Sequence, residues 1–180
     1  METVTATKTK WAIDPTHTEV QFKVKHLVIA TVTGTFKKFS GSVEAEGDDF
    51  DGAAAEFSID VSSIDTNQTD RDAHLKSEDF FAAATYPQIT FRNGVITKAG
   101  SDYELTGDLT IRSITKRITL KAEHGGTVKD PWGNIKTGFE LNGKINRTDF
   151  GLKWNAVTEA GGVVVGEEVK LHLNVELARQ

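Results

Sequence analysis

Apolar and polar residues alternate along most of this chain with a period of two. Val20, Phe22 and Val24 alternate with Gln21, Lys23 and Lys25, and His26 continues the apolar phase. Val32, Gly34 and Phe36 share one phase, followed by Val43 with Ala45 and by Phe57, Ile59 and Val61. Later runs repeat the theme: Ile89 and Phe91, then Tyr103, Leu105, Gly107, Leu109 and Ile111, then Ile118, Leu120 and Ala122. Phe139, Leu141, Gly143 and Ile145 form another run, and Val169, Leu171, Leu173, Val175 and Leu177 the last. Alternation of this kind predicts strands with one face buried and one in water. About eight such strands predict an antiparallel all-β fold. At that number a closed barrel either fills with side chains or holds one small ligand, and a two-sheet sandwich satisfies the same pattern. Gly107 and Gly143 fall mid-strand on the apolar face. There a glycine either frees internal volume or marks a bend or bulge. Asn93-Gly94 predicts a hairpin, and Gly161 to Gly166 reads as the end of a flexible loop entering the last strand.

Between Thr66 and Phe91 the period of two is lost. A short helical insertion is predicted over about Thr69–Ala84. Thr69 can cap its first turn, with Asp72 in the capping-box position. Asp72 and Lys76 stand one turn apart, acid before base. Ser77 offers a second cap, followed by Glu78 and Asp79 where a helix dipole favours acids. Pro87 stops the run. Leu75, Phe80 and Phe81 are too apolar to be left in water, so the insertion reads as a plug or lid on a β scaffold.

Composition narrows the class. A length of 180 residues predicts one domain, from 11 to 180 after a flexible segment at 1–10. The hydrophobic fraction of 38% and charged fraction of 26% are those of a globular protein. A net charge of −5 speaks against nucleic acid and against adsorption to anionic membranes. The absence of cysteine excludes disulfides, thiolate catalysis and cysteine-based zinc sites. Neither an apolar leader nor a bilayer-spanning run is visible, so the expected compartment is cytoplasmic, or periplasmic if a signal was removed.

The five histidines do not pair at the spacing of a helical metal site. His172 lies in the polar phase of its strand and His124 beside a Gly-Gly turn, so both are expected at the surface. His26 lies in the apolar phase and needs hydrogen-bond partners. It reads as a satisfied core histidine or as a polar contact at the end of a cavity. Arg71, Asp72 and His74 form either a local network orienting the insertion or a cluster receiving a phosphate or quinone oxygen. No hydroxyl residue has a base at motif spacing, so no catalytic residue is assigned.

The ordered blocks Trp11-Ala-Ile-Asp-Pro-Thr-His17, Phe22-Lys-Val-Lys-His-Leu27, Gly34-Thr-Phe36 and Phe39-Ser-Gly41 open a longer pattern. It continues through Ser63-Ile-Asp-Thr66, Arg71-Asp-Ala-His-Leu-Lys-Ser77, Asp79-Phe-Phe81 and Tyr86-Pro-Gln-Ile-Thr-Phe91. Gly107-Asp-Leu-Thr-Ile111 and Arg147-Thr-Asp-Phe-Gly-Leu152 complete it. In these blocks the chain resembles the YceI-like family, the polyisoprenoid-binding, lipocalin-like proteins of bacteria. Thr18 stands where the family usually has serine, and Ser113 where glycine is usual. The resemblance implies an extended eight-stranded antiparallel lipocalin-like barrel with a helical segment. It also implies a long-chain apolar ligand in the lumen, a polyisoprenoid, isoprenoid quinone or similar amphiphile, and commonly a homodimer. On that basis Phe22, Val24, Phe36, Phe57, Ile59, Phe91, Leu105, Leu109, Phe139, Leu141 and Ile145 are expected to line the tunnel. Leu75, Phe80 and Phe81 would close it, and His26, Arg71, Asp72 and His74 would meet the head group. The expected role is a non-enzymatic carrier or store. A lipid-modifying enzyme using His26 or His74, or a filled structural barrel, are the alternatives.

Overall fold

Each alternating run becomes a strand, and each pairs antiparallel with its neighbours. The computed structural model describes residues 8–47, 49–155 and 164–180. Residues 1–7 of the expected N-terminal segment, Asp48 and the Gly161–Val163 part of the expected flexible loop lie outside the described residues. The strands are β1 (Lys8–Ile13), β2 (Glu19–His26), β3 (Ala30–Phe36), β4 (Phe39–Glu46), β5 (Asp49–Asp60) and β6 (Ile64–Asp65). The helix α1 (Thr69–Lys76) follows, then β7 (Gln88–Ala99), β8 (Asp102–Ile111), β9 (Ile114–Lys129), β10 (Ile135–Asn146) and β11 (Val165–Arg179).

These segments close into an eight-stranded barrel because several lie end to end. β1 and β2 both run along β11, with Ile13 opposite Leu177 and Glu19 opposite Asn174. β3 and β4 follow them on the other side, and β6 prolongs β5 against β3. β1 pairs with both β4 and β11, which seals the ring.

The core divides along the axis. At the floor Trp11, Phe50, Phe139 and Leu177 pack together, with Phe50 edge-on to Phe139 at 5.1 Å between centroids. At the mouth Val20, Phe36, Ile59, Phe80, Ile111, Phe150 and Leu152 form a second cluster.

Three local expectations are corrected. Asn93-Gly94 is a bulge inside β7 rather than a hairpin: Asn93 takes φ 54° and its amide donates to Asp108. The strand continues to Ala99, where Gly100 makes the turn. The Gly125-Gly126 turn is likewise an irregularity within β9, with Gly126 at φ 108° and a register shift opposite at Gly138/Phe139. His124 is consequently half-buried rather than solvated, stacked on Phe139 with centroids 4.7 Å apart.

The insertion is also shorter than expected. α1 stops at Lys76, and wound turns, not helix, carry the chain to Tyr86, with Ala82 at φ 49°. Its cap is Gln68, whose side chain accepts from the Arg71 amide, and not Thr69. Asp72 does not complete a capping box because its carboxylate is drawn back to Thr66.

Candidate functional site

Between the floor and mouth clusters lies a cavity of about 400 Å³. Its wall is the inward phase of the strands. Phe22, Val24, Phe36, Phe57, Ile59, Phe91, Leu105, Leu109, Phe139, Leu141 and Ile145 all line it, and Leu75, Phe80 and Phe81 reach it from the insertion. Phe36 joins wall to lid, meeting Phe22 at 5.6 Å and the edge of Phe81 at 6.1 Å between centroids.

The burial pattern shows that the space belongs to the barrel. Phe22, Leu105, Ile118, Ile145, Leu171 and Leu173 point inward in register yet are only half-buried. In a close-packed core such positions lose their accessible surface; here what remains faces the lumen. The two mid-strand glycines are neither empty volume nor bends. A Cβ on Gly107 would come within 2.5 Å of Phe91, and one on Gly143 within 2.2 Å of Leu120. Each glycine is a seat that a neighbouring strand's large side chain fills.

The polar groups gather near the mouth. His26 is exposed at the rim and lines the opening, so it is not a core histidine. Arg71 and Asp72 both grip Thr66. Arg71 Nε donates to Thr66 Oγ1 at 2.8 Å and Nη2 to Thr66 O at 2.6 Å. Asp72 Oδ1 accepts from Thr66 N at 2.9 Å and from its hydroxyl at 2.5 Å. Arg71 still lines the cavity; Asp72 does not, and its role is to hold the insertion down. His74 lines the cavity with its Nε2 2.9 Å from Asp79 and its ring edge-on to Phe80 and Trp154.

Among the lining residues that sequence reasoning did not name are Arg147 and Trp154. Arg147 is 3% exposed and fans its donors over backbone carbonyls. Nε reaches Gly166 O at 2.8 Å, Nη1 reaches Leu152 O at 2.5 Å and Trp154 O at 2.8 Å, and Nη2 reaches Val165 O at 3.3 Å. Burial pushes its pKa down, against the through-space pull of Glu167, but a guanidinium stays charged. Among the described residues neither Arg71 nor Arg147 has a carboxylate at ion-pair distance. The mouth end of an apolar lumen therefore carries two positive charges that are hydrogen-bonded to hydroxyl and carbonyl oxygens, with Glu167 acting on Arg147 through space. The only advance signal for Arg147 was its place at the head of the Arg147–Leu152 block; nothing in the alternation marked Trp154.

A second polar cluster lies outside the lumen. Asp14, His17 and Glu176 offer three ligand atoms within 4.8 Å of one another. Lys136 Nζ sits 2.9 Å from Asp14 Oδ2, so an ammonium already supplies the cation that these carboxylates call for. The cluster ties the β1–β2 junction to β10 and β11.

The YceI-like domain family matches residues 11–177. The chain belongs to the YceI-like family. A UPF0312 protein of Staphylococcus epidermidis is 39% identical over 171 residues, covering 94% of this chain and 98% of the relative. Protein YceI of Escherichia coli O6:H1 is 39% identical over 164 residues, covering 91% and 83%. Among solved structures, Burkholderia cenocepacia BcnA superposes with a TM-score of 0.79 at 25% identity, covering 91% of this chain and 98% of that one. A polyisoprenoid binding domain from Saccharophagus degradans shares the fold, with a TM-score of 0.66 at 17% identity and coverage of 94% and 98%. Among the described residues no helix is long and apolar enough to cross a membrane.

Proposed function

We propose that this YceI-like barrel binds a long-chain apolar lipid, an isoprenoid or similar amphiphile, in its lumen and acts as its carrier or store without a chemical step. One observation carries the reading: the open cavity of about 400 Å³, walled by inward-facing aliphatic and aromatic side chains from most of the strands. That volume falls within the usual range for small-molecule pockets. Burying a chain gains about 0.8 kcal/mol per methylene. Fifteen carbons then contribute on the order of 10 kcal/mol, against ordering costs of about 4–15 kcal/mol. The tail supplies the affinity. Arg71, Arg147 and the rim His26 favour a head group that is anionic or rich in acceptors.

The His74–Asp79 pair is the orienting half of an acid–base apparatus, which keeps the enzyme alternative in view. It lacks the other half: among the described residues no serine or threonine hydroxyl is hydrogen-bonded to the His74 ring, and Ser77 Oγ donates instead to the His74 backbone carbonyl. Mass spectrometry of organic extracts from protein purified without detergent tests the proposal. A long-chain amphiphile is expected from the native chain and not from Leu173→Trp, which fills the lumen. An empty native barrel that also takes up no added lipid would sink the proposal.

A further inference from the structure

We infer that the loop joining β2 to β3, together with a rung of lysines on the adjoining outer wall, docks the barrel mouth-first on an anionic lipid bilayer. The loop is Leu27-Val28-Ile29, three consecutive large apolar residues, 39%, 70% and 85% exposed. Loops of this kind favour glycine, asparagine or aspartate where φ is positive. Here Leu27 takes φ 53° and Val28 φ 66°. A β-branched residue in that region is a genuine outlier. The tip is thus more strained and less soluble than a polar turn would be, and nothing in the fold requires it: Leu27 N bonds to Val164 O and Ile29 N to His26 O through backbone alone.

The second observation is independent of the first. Lys23 on β2 stands directly opposite Lys170 on β11, which stands directly opposite Lys144 on β10. Like charges placed opposite one another destabilise a sheet. All three are exposed, and none lies within ion-pair distance of a carboxylate among the described residues. Lys121 joins them along the same shallow outer groove, where Glu104 is the one acid, and Lys25 extends the basic surface toward the tip. Glu168, on the same side of β11 opposite Asn146, offsets part of this charge. A net charge of −5 hides the patch because a sum carries no positions.

The two features lie at compatible depths. At about 3.3 Å per residue, Lys25 stands about 10 Å and Lys23 about 16 Å from Val28 along the strand. An apolar element buried about 5–10 Å at the headgroup boundary brings Lys25 among the headgroups and the rung within about a Debye length of them. A second copy of the chain fits less well. Three side chains cannot supply the roughly 800 Å² per partner of a stable interface. The tip also adjoins the opening: Lys25, His26, Val164 and Val165 line the top of the cavity. Given the lumen reading above, docking would let a lipid pass from bilayer to barrel without crossing water.

The test is co-flotation of the full chain with vesicles of phosphatidylcholine alone or mixed with phosphatidylglycerol. Association is expected with the mixed vesicles only and should fade with added salt. Val28→Asn with Ile29→Asn, and separately Lys23→Gln with Lys170→Gln, should each weaken it on the order of tenfold or more. Uptake of monomeric cis-parinaric acid, a fluorescent polyene fatty acid, should stay as in the native chain. Val28→Asn alone should melt no lower, since asparagine tolerates positive φ. The inference is overturned if the native chain ignores the mixed vesicles, or binds both kinds equally. It is also overturned if the loop variants float as before, including the case in which they merely convert a dimer to a monomer. Failure to take up the fatty acid would count against the lumen reading and leave the vesicle result standing.

Discussion

The ring of Phe91 on β7 occupies the place into which a side chain at Gly107 on β8 would project. A Cβ at Gly107 would meet Phe91 Cζ at 2.5 Å and the Gly94 Cα at 2.9 Å. The second of these contacts is backbone and cannot swing aside. At Gly143 the obstacle is Leu120 Cδ2 at 2.2 Å, the far end of a flexible side chain. Gly107→Ala is therefore expected to cost about 1–3 kcal/mol of stability, as overpacking does. Gly143→Ala should cost less, tilt Leu120 into the lumen and reduce lipid capacity in a fold that melts nearly as before. Urea unfolding and lipid titration of the two variants check this; equal destabilisation would refute the assignment of the two seats.

Arg147 holds four backbone carbonyls with a single guanidinium, those of Leu152 and Trp154 and those of Val165 and Gly166 at the start of β11. Arg147→Met leaves those acceptors buried without donors, and a loss of about 3–5 kcal/mol is expected. Arg147→Lys keeps the charge but not the fan, and should recover only part of the stability. Chemical denaturation measures both. A lysine variant as stable as the native chain would show that charge, not geometry, secures the mouth.

Asp72 pins the insertion by accepting two hydrogen bonds from Thr66. Asp72→Ala removes the pin without altering the lumen wall. A cost of about 1–2 kcal/mol is expected, of the size of a lost cap. The more specific outcome is faster release of a lumenal fluorescent lipid to acceptor vesicles, followed by stopped flow. Unchanged release would mean that the insertion does not gate the opening.

Two histidines should give the barrel opposite pH slopes. His17 hydrogen-bonds to Asp14 and feels Glu176, and both raise its pKa above the ordinary value of about 6.5. Its contribution is complete below that value and fades as pH rises through the raised folded pKa. His124 is desolvated at the floor, which lowers its pKa. The unfolded chain then takes up that proton first, so stability is lost as pH falls below about 6.5. Asp14 is held well below the usual carboxylate range by Thr16, His17 and Lys136, so it stays ionised across this window. Melting temperature against pH should flatten on the alkaline side in His17→Gln and on the acid side in His124→Phe. Parallel curves for the two variants and the native chain would contradict the assignment.

The alternation marked the inward faces of the strands, and residues of that phase line the cavity, because inward and outward faces of a half-buried strand differ in polarity residue by residue. It failed at Asn93-Gly94 and Gly125-Gly126. A bulge and a hairpin use the same left-handed backbone there, and only the long-range pairing with β8 or β10 tells them apart. His26 illustrates the opposite error. Its apolar phase was real, but β2 carries it up to the rim, where an inward direction no longer means a buried position.

By itself, then, the sequence determined the strands, their inward faces, the family pattern and the position of the insertion, since each is written in local polarity and local turn chemistry. Tertiary structure decided whether the barrel is filled, that Arg147 joins Arg71 at its mouth, and that Lys23, Lys170 and Lys144 share one rung. Those are relations between residues far apart in the chain. They arise from how the strands register when the sheet closes, and no single stretch of residues encodes that closure.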